Sequence, residues 1–236
     1  MRRMERRIQL EQVLPEKIED RSFEIISEEL MERFPGRTFR PEEEPVIKRV
    51  IHTTADFDYA DNLVFSEGAV KKALEALREG AVIVTDTNMG RAGINKRSLE
   101  RLGSEVLCFM ADEDVAETAK QQGTTRAAAS MDKAASLGRD CIFAVGNAPT
   151  ALVRLYELIR EGRLAPRLII GVPVGFVNVV SSKELILSLQ DTPYIVARGR
   201  KRRKQRGSCH LQCADLPACE RAVERQLPQI FKGKRT

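Results

Sequence analysis

The sequence contains no apolar run near the roughly 18 residues that a membrane-crossing helix needs. Its opening stretch, Met1 to Arg7, has none of the apolar character of an export signal. Cysteine is scarce: five residues, an odd number, which without an export signal suits reduced thiols in the cytosol better than a disulfide framework. Histidine is scarcer. His52 and His210 are the two in 236 residues, so His52 stands alone in the first 199. Neither G-x-G-x-x-G nor G-x-x-x-x-G-K-[ST] occurs, which removes the usual backbone cradle for a dinucleotide or a nucleoside triphosphate. There is no internal repeat and no low-complexity tract.

The chain is 42% hydrophobic and 31% charged, enough for one sizeable core and too short for two full domains. Its net charge of +5 is unevenly spread. Residues 200–236 carry eleven Lys/Arg and three Asp/Glu, which leaves 28 basic and 31 acidic groups before them. The body is mildly acidic and the basicity belongs to the tail. Residues 1–199 therefore read as one domain and residues 200–236 as an atypical basic extension.

Hydrophobic spacing predicts helices first. Phe23, Ile26, Leu30 and Phe34 recur at helical intervals behind Asp20, a candidate cap, and Pro35-Gly36 ends the run. A second helix is expected from Pro41, with Glu42, Glu43 and Glu44 in its first turn and Val46, Ile47, Val50 and Ile51 as its apolar stripe. Arg49 and His52 fall three apart on one side of it. A third follows Ser66, with Val70, Ala73, Leu74 and Leu77 on one face and Gly80 as its stop.

The period then changes. Short apolar runs at Ala81–Thr85, Glu105–Met110, Cys141–Val145, Leu168–Val172 and Tyr194–Ala197 alternate with helix-like segments at Asp112–Gln122, Thr150–Arg160 and Ser182–Leu189. Continuous apolar strands alternating with helices indicate a parallel sheet covered on both faces. Ligands bind such sheets at the carboxyl ends of their strands. Three polar or glycine-bearing turns fall there: Thr85 to Gly90, Gly146-Asn147-Ala148-Pro149-Thr150, and Gly171 to Phe176. The second resembles a strand-to-helix turn whose backbone N–H groups could receive an anion, but residues alone favour an ordinary turn with a capping Asn and a first-turn proline.

His52 is open to two readings: a helix residue satisfied by a backbone carbonyl, or a general acid or base working near neutral pH. No second histidine stands at the spacing of a metal pair. In the tail, Cys209-His210, Cys213 and Cys219 look like a loose zinc knuckle, but their spacing matches no standard ligand pattern.

Several strings occur together in order: Arg21-Ser22-Phe23-Glu24-Ile25-Ile26, Arg49-Val50-Ile51-His52, Gly146-Asn147-Ala148-Pro149-Thr150-Ala151-Leu152, Gly171-Val172-Pro173-Val174-Gly175-Phe176-Val177 and Ser182-Lys183-Glu184. With them, residues 15–201 resemble the precorrin-8X methylmutase family, whose anaerobic-pathway members are cobalt-precorrin-8 methylmutases. The resemblance implies an isomerase of corrin ring assembly that moves a methyl group from C11 to C12, giving hydrogenobyrinic or cobyrinic acid. It implies a three-layer α/β/α fold around a mainly parallel, Rossmann-like sheet, with an N-terminal helical segment. A cytoplasmic homodimer, no cofactor, no protein-bound metal, no membrane and no nucleic acid go with it. His52 matches the family's proton donor and acceptor, and Ser22 and Arg49 match substrate-contacting positions. Arg126 suits a similar role, while Thr85, Asn147 and Thr150 are candidates by their position at strand ends.

The pattern breaks after Arg200. Family members continue there with a Gly-Gly-Ser-type turn and an alanine-rich helix. A suitably chosen coding string for Gly-Gly-Ser-Asn-Val-Ala-Ala-Ala-Ile-Cys-Asn and the first two bases of an Ala codon, preceded by one extra C, translates as residues 202–213 of this chain. A one-base shift near codon 202 is therefore expected to have produced the basic tail, its cysteines and His210. Two other functions compete with the mutase: a corrinoid carrier sharing the pocket without turnover, and a nucleic-acid-binding protein using Arg198 to Arg206.

Overall fold

The structure, a computed structural model, describes residues 11–200. The basic run, the tail cysteines, His210 and the proposed frame change lie outside those residues. The chain divides into two compact units, Met1–Thr38 and Phe39–Thr236.

In the first unit a 3-10 turn at Pro15–Lys17 runs straight into α1 (Ile18–Arg33). Asp20 is not the cap. Lys17 holds that position, and Asp20 lies in the first turn, where a negative side chain meets the positive end of the helix dipole. Ile26 and Leu30, one turn apart, are its buried residues.

The second unit opens with α2 (Glu44–Thr54), α3 (Tyr59–Asn62), β1 (Leu63–Phe65) and α4 (Ala69–Arg78). The second helix starts three residues later than its sequence suggests. Residues 41–43 form a turn in which Glu43 and Glu44 donate to the Arg40 carbonyl, and Pro45 is the proline of the first helical turn. Then follow β2 (Val82–Thr85), α5 (Asn88–Gly93), α6 (Lys96–Arg101), β3 (Val106–Leu107), α7 (Glu113–Gln121), α8 (Arg126–Ala135), β4 (Cys141–Val145), α9 (Pro149–Arg160), β5 (Leu168–Gly171), α10 (Val179–Leu187) and β6 (Tyr194–Ala197).

The six strands form one sheet in the order β1-β6-β5-β4-β2-β3, parallel throughout except for the antiparallel β1 at one edge. Every residue of β2, β4 and β5 is buried, as both faces of a covered sheet require. Alternate residues sort to opposite faces. Val82, Val84, Cys141, Phe143, Val145, Ile169 and Val196 pack with Val115, Ala119, Met131, Leu152, Leu155, Leu158 and Ile186 from α7 to α10. Ile83, Ile142, Leu168, Ile170 and Ile195 are buried between them along the strands, and α4 lies against β5. The result is the expected three-layer arrangement with a mainly parallel sheet.

The chain leaves β2 for β3 on one side and then returns to β4 on the other. That reversal makes the carboxyl ends of β2 and β4 the topological switch point, where doubly wound sheets open a crevice.

Candidate functional site

Two sets of the sequence candidates come together, one on α2 and one at the switch point. On α2, Pro45, Val46, Ile47, Val50, Ile51 and Thr54 are buried, so the helix is committed to the fold along one side. Arg49 and His52 occupy the other, Arg49 half-buried and His52 exposed. The helix ends just beyond them. Thr54 Oγ1 donates to Val50 O at 2.7 Å, and Ala55 takes a left-handed conformation with φ 50° while its N–H bonds Ile51 O. His52 therefore projects from a last turn whose backbone and buried stripe are both held. Through α3, which packs on β1 and β6, this helix belongs to the antiparallel edge of the sheet.

At the switch point the end of β2 and the turn after β4 are joined by a side chain that sequence reasoning missed. Asp86 is 1% exposed. Its Oδ1 accepts from the Gly146 N–H at 3.0 Å, and its Oδ2 accepts from Asn147 N–H at 2.8 Å and Ala148 N–H at 2.6 Å. The N–H groups that looked available to an incoming anion are thus occupied by the protein's own carboxyl group. Asn147 is not the cap of α9 either; Ala148 has that position and offers no side-chain bond. The available signal was an acidic residue directly after a wholly apolar strand, but its partners lie 60 to 62 residues further on.

Thr85 is 2% exposed, and its hydroxyl donates to Thr87 O at 3.0 Å and Leu107 O at 3.3 Å. It ties the end of β2 to its own turn and to β3, which makes it part of the scaffold beneath the crevice. Thr87 caps α5 by accepting from Gly90 N–H at 3.0 Å. A Cβ at Gly90 would sit 3.1 Å from Thr87 Oγ1 and 3.4 Å from Thr85 Cβ, so glycine permits α5 to close onto the strand end.

α8 and α9 both begin at this end of the sheet. Thr125 caps α8, accepting from Ala128 N–H at 3.2 Å, and its hydroxyl lies 2.8 Å from that of Thr150 in the first turn of α9. Two helix N-termini therefore lie side by side with the exposed Arg126 guanidinium at the start of one. Their aligned dipoles and the guanidinium favour negative charge. Asn147 and Thr150 are exposed at the same rim. Further along, Arg154 grips Asp132 through Nε and Nη2, with contacts of 2.7 to 3.1 Å, and locks the two helices together. That double contact holds the Arg154 guanidinium well above its ordinary pKa.

The turn after β5 reaches the same edge. Gly175 has φ +145° and Asn178 φ +56°, and between them Phe176 and Val177 are 66% and 79% exposed. Two large apolar side chains are thus displayed to solvent at the carboxyl edge of the sheet. Ser22 lies in the N-terminal unit, half-buried, with its hydroxyl donating to Ile18 O at 2.8 Å. Among the described residues no helix is long and apolar enough to cross a membrane. Every buried side-chain nitrogen or oxygen among them has a hydrogen-bond partner.

Residues 17–202 match the sequence family described as precorrin-8X methylmutase. A cobalt-precorrin-8 methylmutase of Priestia megaterium is 43% identical over 189 residues, spanning 80% of this chain and 82% of that protein. One from Salmonella typhimurium is 45% identical over 189 residues, spanning 79% and 88% respectively. The crystal structure of a precorrin-8X methylmutase from Thermus thermophilus superposes with a TM-score of 0.75 at 38% identity, covering 89% of this chain and 98% of that one.

Proposed function

The chain belongs to the precorrin-8X methylmutase family, and from that premise we propose that it moves a methyl group from C11 to C12 of cobalt-precorrin-8, with His52 as the proton donor and acceptor. The protein is an isomerase of cobalamin biosynthesis. The cobalt-containing ring is taken as substrate because the two relatives at 43% and 45% identity carry that name. The metal travels with the substrate, and the protein supplies no redox step.

The observation that carries the assignment of His52 is its exposure on a helix that is otherwise pinned. Imidazolium gives a proton to the conjugated ring, drawing electron density from C12. The methyl group then migrates with its bonding pair from C11 to C12, and the imidazole takes the proton back. Atoms and electrons balance within the ring, and the histidine ends as it began. Imidazole suits the task because its ordinary pKa lies near neutrality, so it can both give and recover the proton.

The macrocycle is a broad apolar disc edged by acetate and propionate carboxylates. Arg49, one turn before His52, binds such a carboxylate, and Arg126, Asn147 and Thr150 serve others from the switch-point rim. Ser22 is taken as a substrate contact from the family resemblance alone. Thr85 acts by holding the strand end. The resemblance also brings with it a cytoplasmic homodimer; sedimentation of the purified chain checks the dimer.

The deciding experiment incubates the full chain with cobalt-precorrin-8 and, in parallel, with precorrin-8X, following the spectrum of the corrin product. Conversion with preference for the cobalt form supports the reading. A bound but unchanged spectrum makes the protein a carrier, and preference for the metal-free ring overturns the choice of substrate.

A further inference from the structure

Asp86 is the buried acidic side chain that the proposed chemistry leaves unused. It closes the gap between the carboxyl ends of β2 and β4 with three bonds of 2.6 to 3.0 Å to successive backbone N–H groups. Those donors stand where a strand ends and a helix begins, so neither ladder nor helix can satisfy them. Water or a ligand anion would do so in many crevices of this kind. Here a side chain from the neighbouring strand does it, and two of the three donors, at Asn147 and Ala148, share a single oxygen.

We propose that Asp86 is a positioning residue for the methylmutase reaction: by occupying the N–H cradle of residues 146–148 it fixes the turn that presents Asn147 and Thr150 to a substrate carboxylate. The inference rests on Asn147 and Thr150 being substrate contacts. Asp86 also excludes the substrate's own acetates and propionates from the cradle, so recognition at this rim falls to an amide, a hydroxyl and the Arg126 guanidinium. A carboxyl group is required because both of its oxygens accept. Asparagine would turn an NH2 group toward at least one backbone N–H and force the turn to shift. The α9 start and the Thr125–Thr150 hydroxyl contact follow the same turn, so displacement there moves the rim as a unit.

Four variants of the full chain test this: Asp86→Asn, Asp86→Ala, Asn147→Ala and the double variant Asp86→Asn/Asn147→Ala, each first shown to unfold cooperatively. KM and kcat are measured with cobalt-precorrin-8. Asp86→Asn is expected to raise KM about five-fold or more while kcat changes by less than about two-fold. Formate, small enough to refill the cradle, should lower the KM of Asp86→Ala and leave the wild type unaffected. Adding Asp86→Asn to Asn147→Ala should raise KM by less than it does alone, because the Asn147 contact is already gone and Thr150 is what remains to be displaced. The proposal is overturned by a folded Asp86→Asn with wild-type KM, by strictly additive effects in the double variant, or by failure of both Asp86 variants to fold even in formate. If Asn147→Ala alone leaves KM unchanged, the contact assigned to Asn147 fails. Formate rescue then still upholds Asp86 as the holder of the turn, and its absence removes that role too.

Discussion

Neighbouring residues on α2 do different work, and substitution separates them. Ile51 is fully buried, and Ile51→Ala should cost about 2–5 kcal/mol through lost burial and the cavity it leaves. His52 is exposed one position later, and His52→Ala should shift stability by only about 0.5 kcal/mol. Urea unfolding of the two variants checks this contrast; a large loss from His52→Ala would mark the imidazole as structural. Cys141 gives a second test. Burial pushes its thiol up to about 11, and its Sγ lies 3.3 Å from the Arg139 carbonyl. At pH 8 it is therefore almost entirely the unreactive thiol. Iodoacetamide at that pH should leave Cys141 unmodified in the native chain and label it in denaturant, read by peptide mass.

At the scale of elements, helix pairs hold the rim of the crevice. Arg154→Met would strip Asp132 of its two-pronged partner between α8 and α9, and should cost about 1–2 kcal/mol in urea unfolding. Lys133 joins α8 to the start of α7, bonding Asp112 at 2.7 Å and Asp114 at 2.7 to 2.8 Å. Its hydrogen bonds hold Asp114 below the ordinary 3.8 and raise Lys133 above the ordinary 10.5. The stabilisation from Asp114 is complete above pH 3.8 and is lost as pH falls through its depressed pKa. That from Lys133 is complete below pH 10.5 and is lost as pH rises through its raised one. Lys133→Met should therefore flatten the acid limb of stability against pH, an effect that salt weakens in the wild type. An acid limb as steep as the wild type's would show that the pair contributes nothing. β2, β4 and β5 were legible because burial on both faces leaves unbroken apolar runs. β6 showed the same pattern, while the run expected at Glu105–Met110 is a strand only at Val106–Leu107, on the sheet edge. β1 was not legible: it has three residues, follows α3 without a loop, and pairs antiparallel with β6, 130 or more residues later by register. α8 escaped because its inner face is largely alanine, which carries little hydrophobic contrast. α5 and α6, six residues each, are too short to show a period.

For the whole molecule, a chain can announce which residues it carries but not which distant ones meet. His52 and Arg49 were visible as a pair because helical spacing alone puts them on one side. The strand-end turns were visible because parallel sheets bind ligands there. The Asp86 bridge was not, since it depends on β4 returning beside β2 after β3 has been laid on the far edge. Nor did the apolar pattern indicate that the chain divides near Thr38. The fold thus delivers a pinned helix that carries His52 and a hydrogen-bonded polar rim, and the chemistry proposed for them turns on one imidazole. The most direct test compares His52→Ala with the wild type on cobalt-precorrin-8, measuring ligand affinity by spectral titration and product formation in the same cuvette. Affinity within about three-fold and turnover lower by at least about 100-fold are the expected result. Turnover at the wild-type rate, with the ligand bound as tightly, would contradict the account.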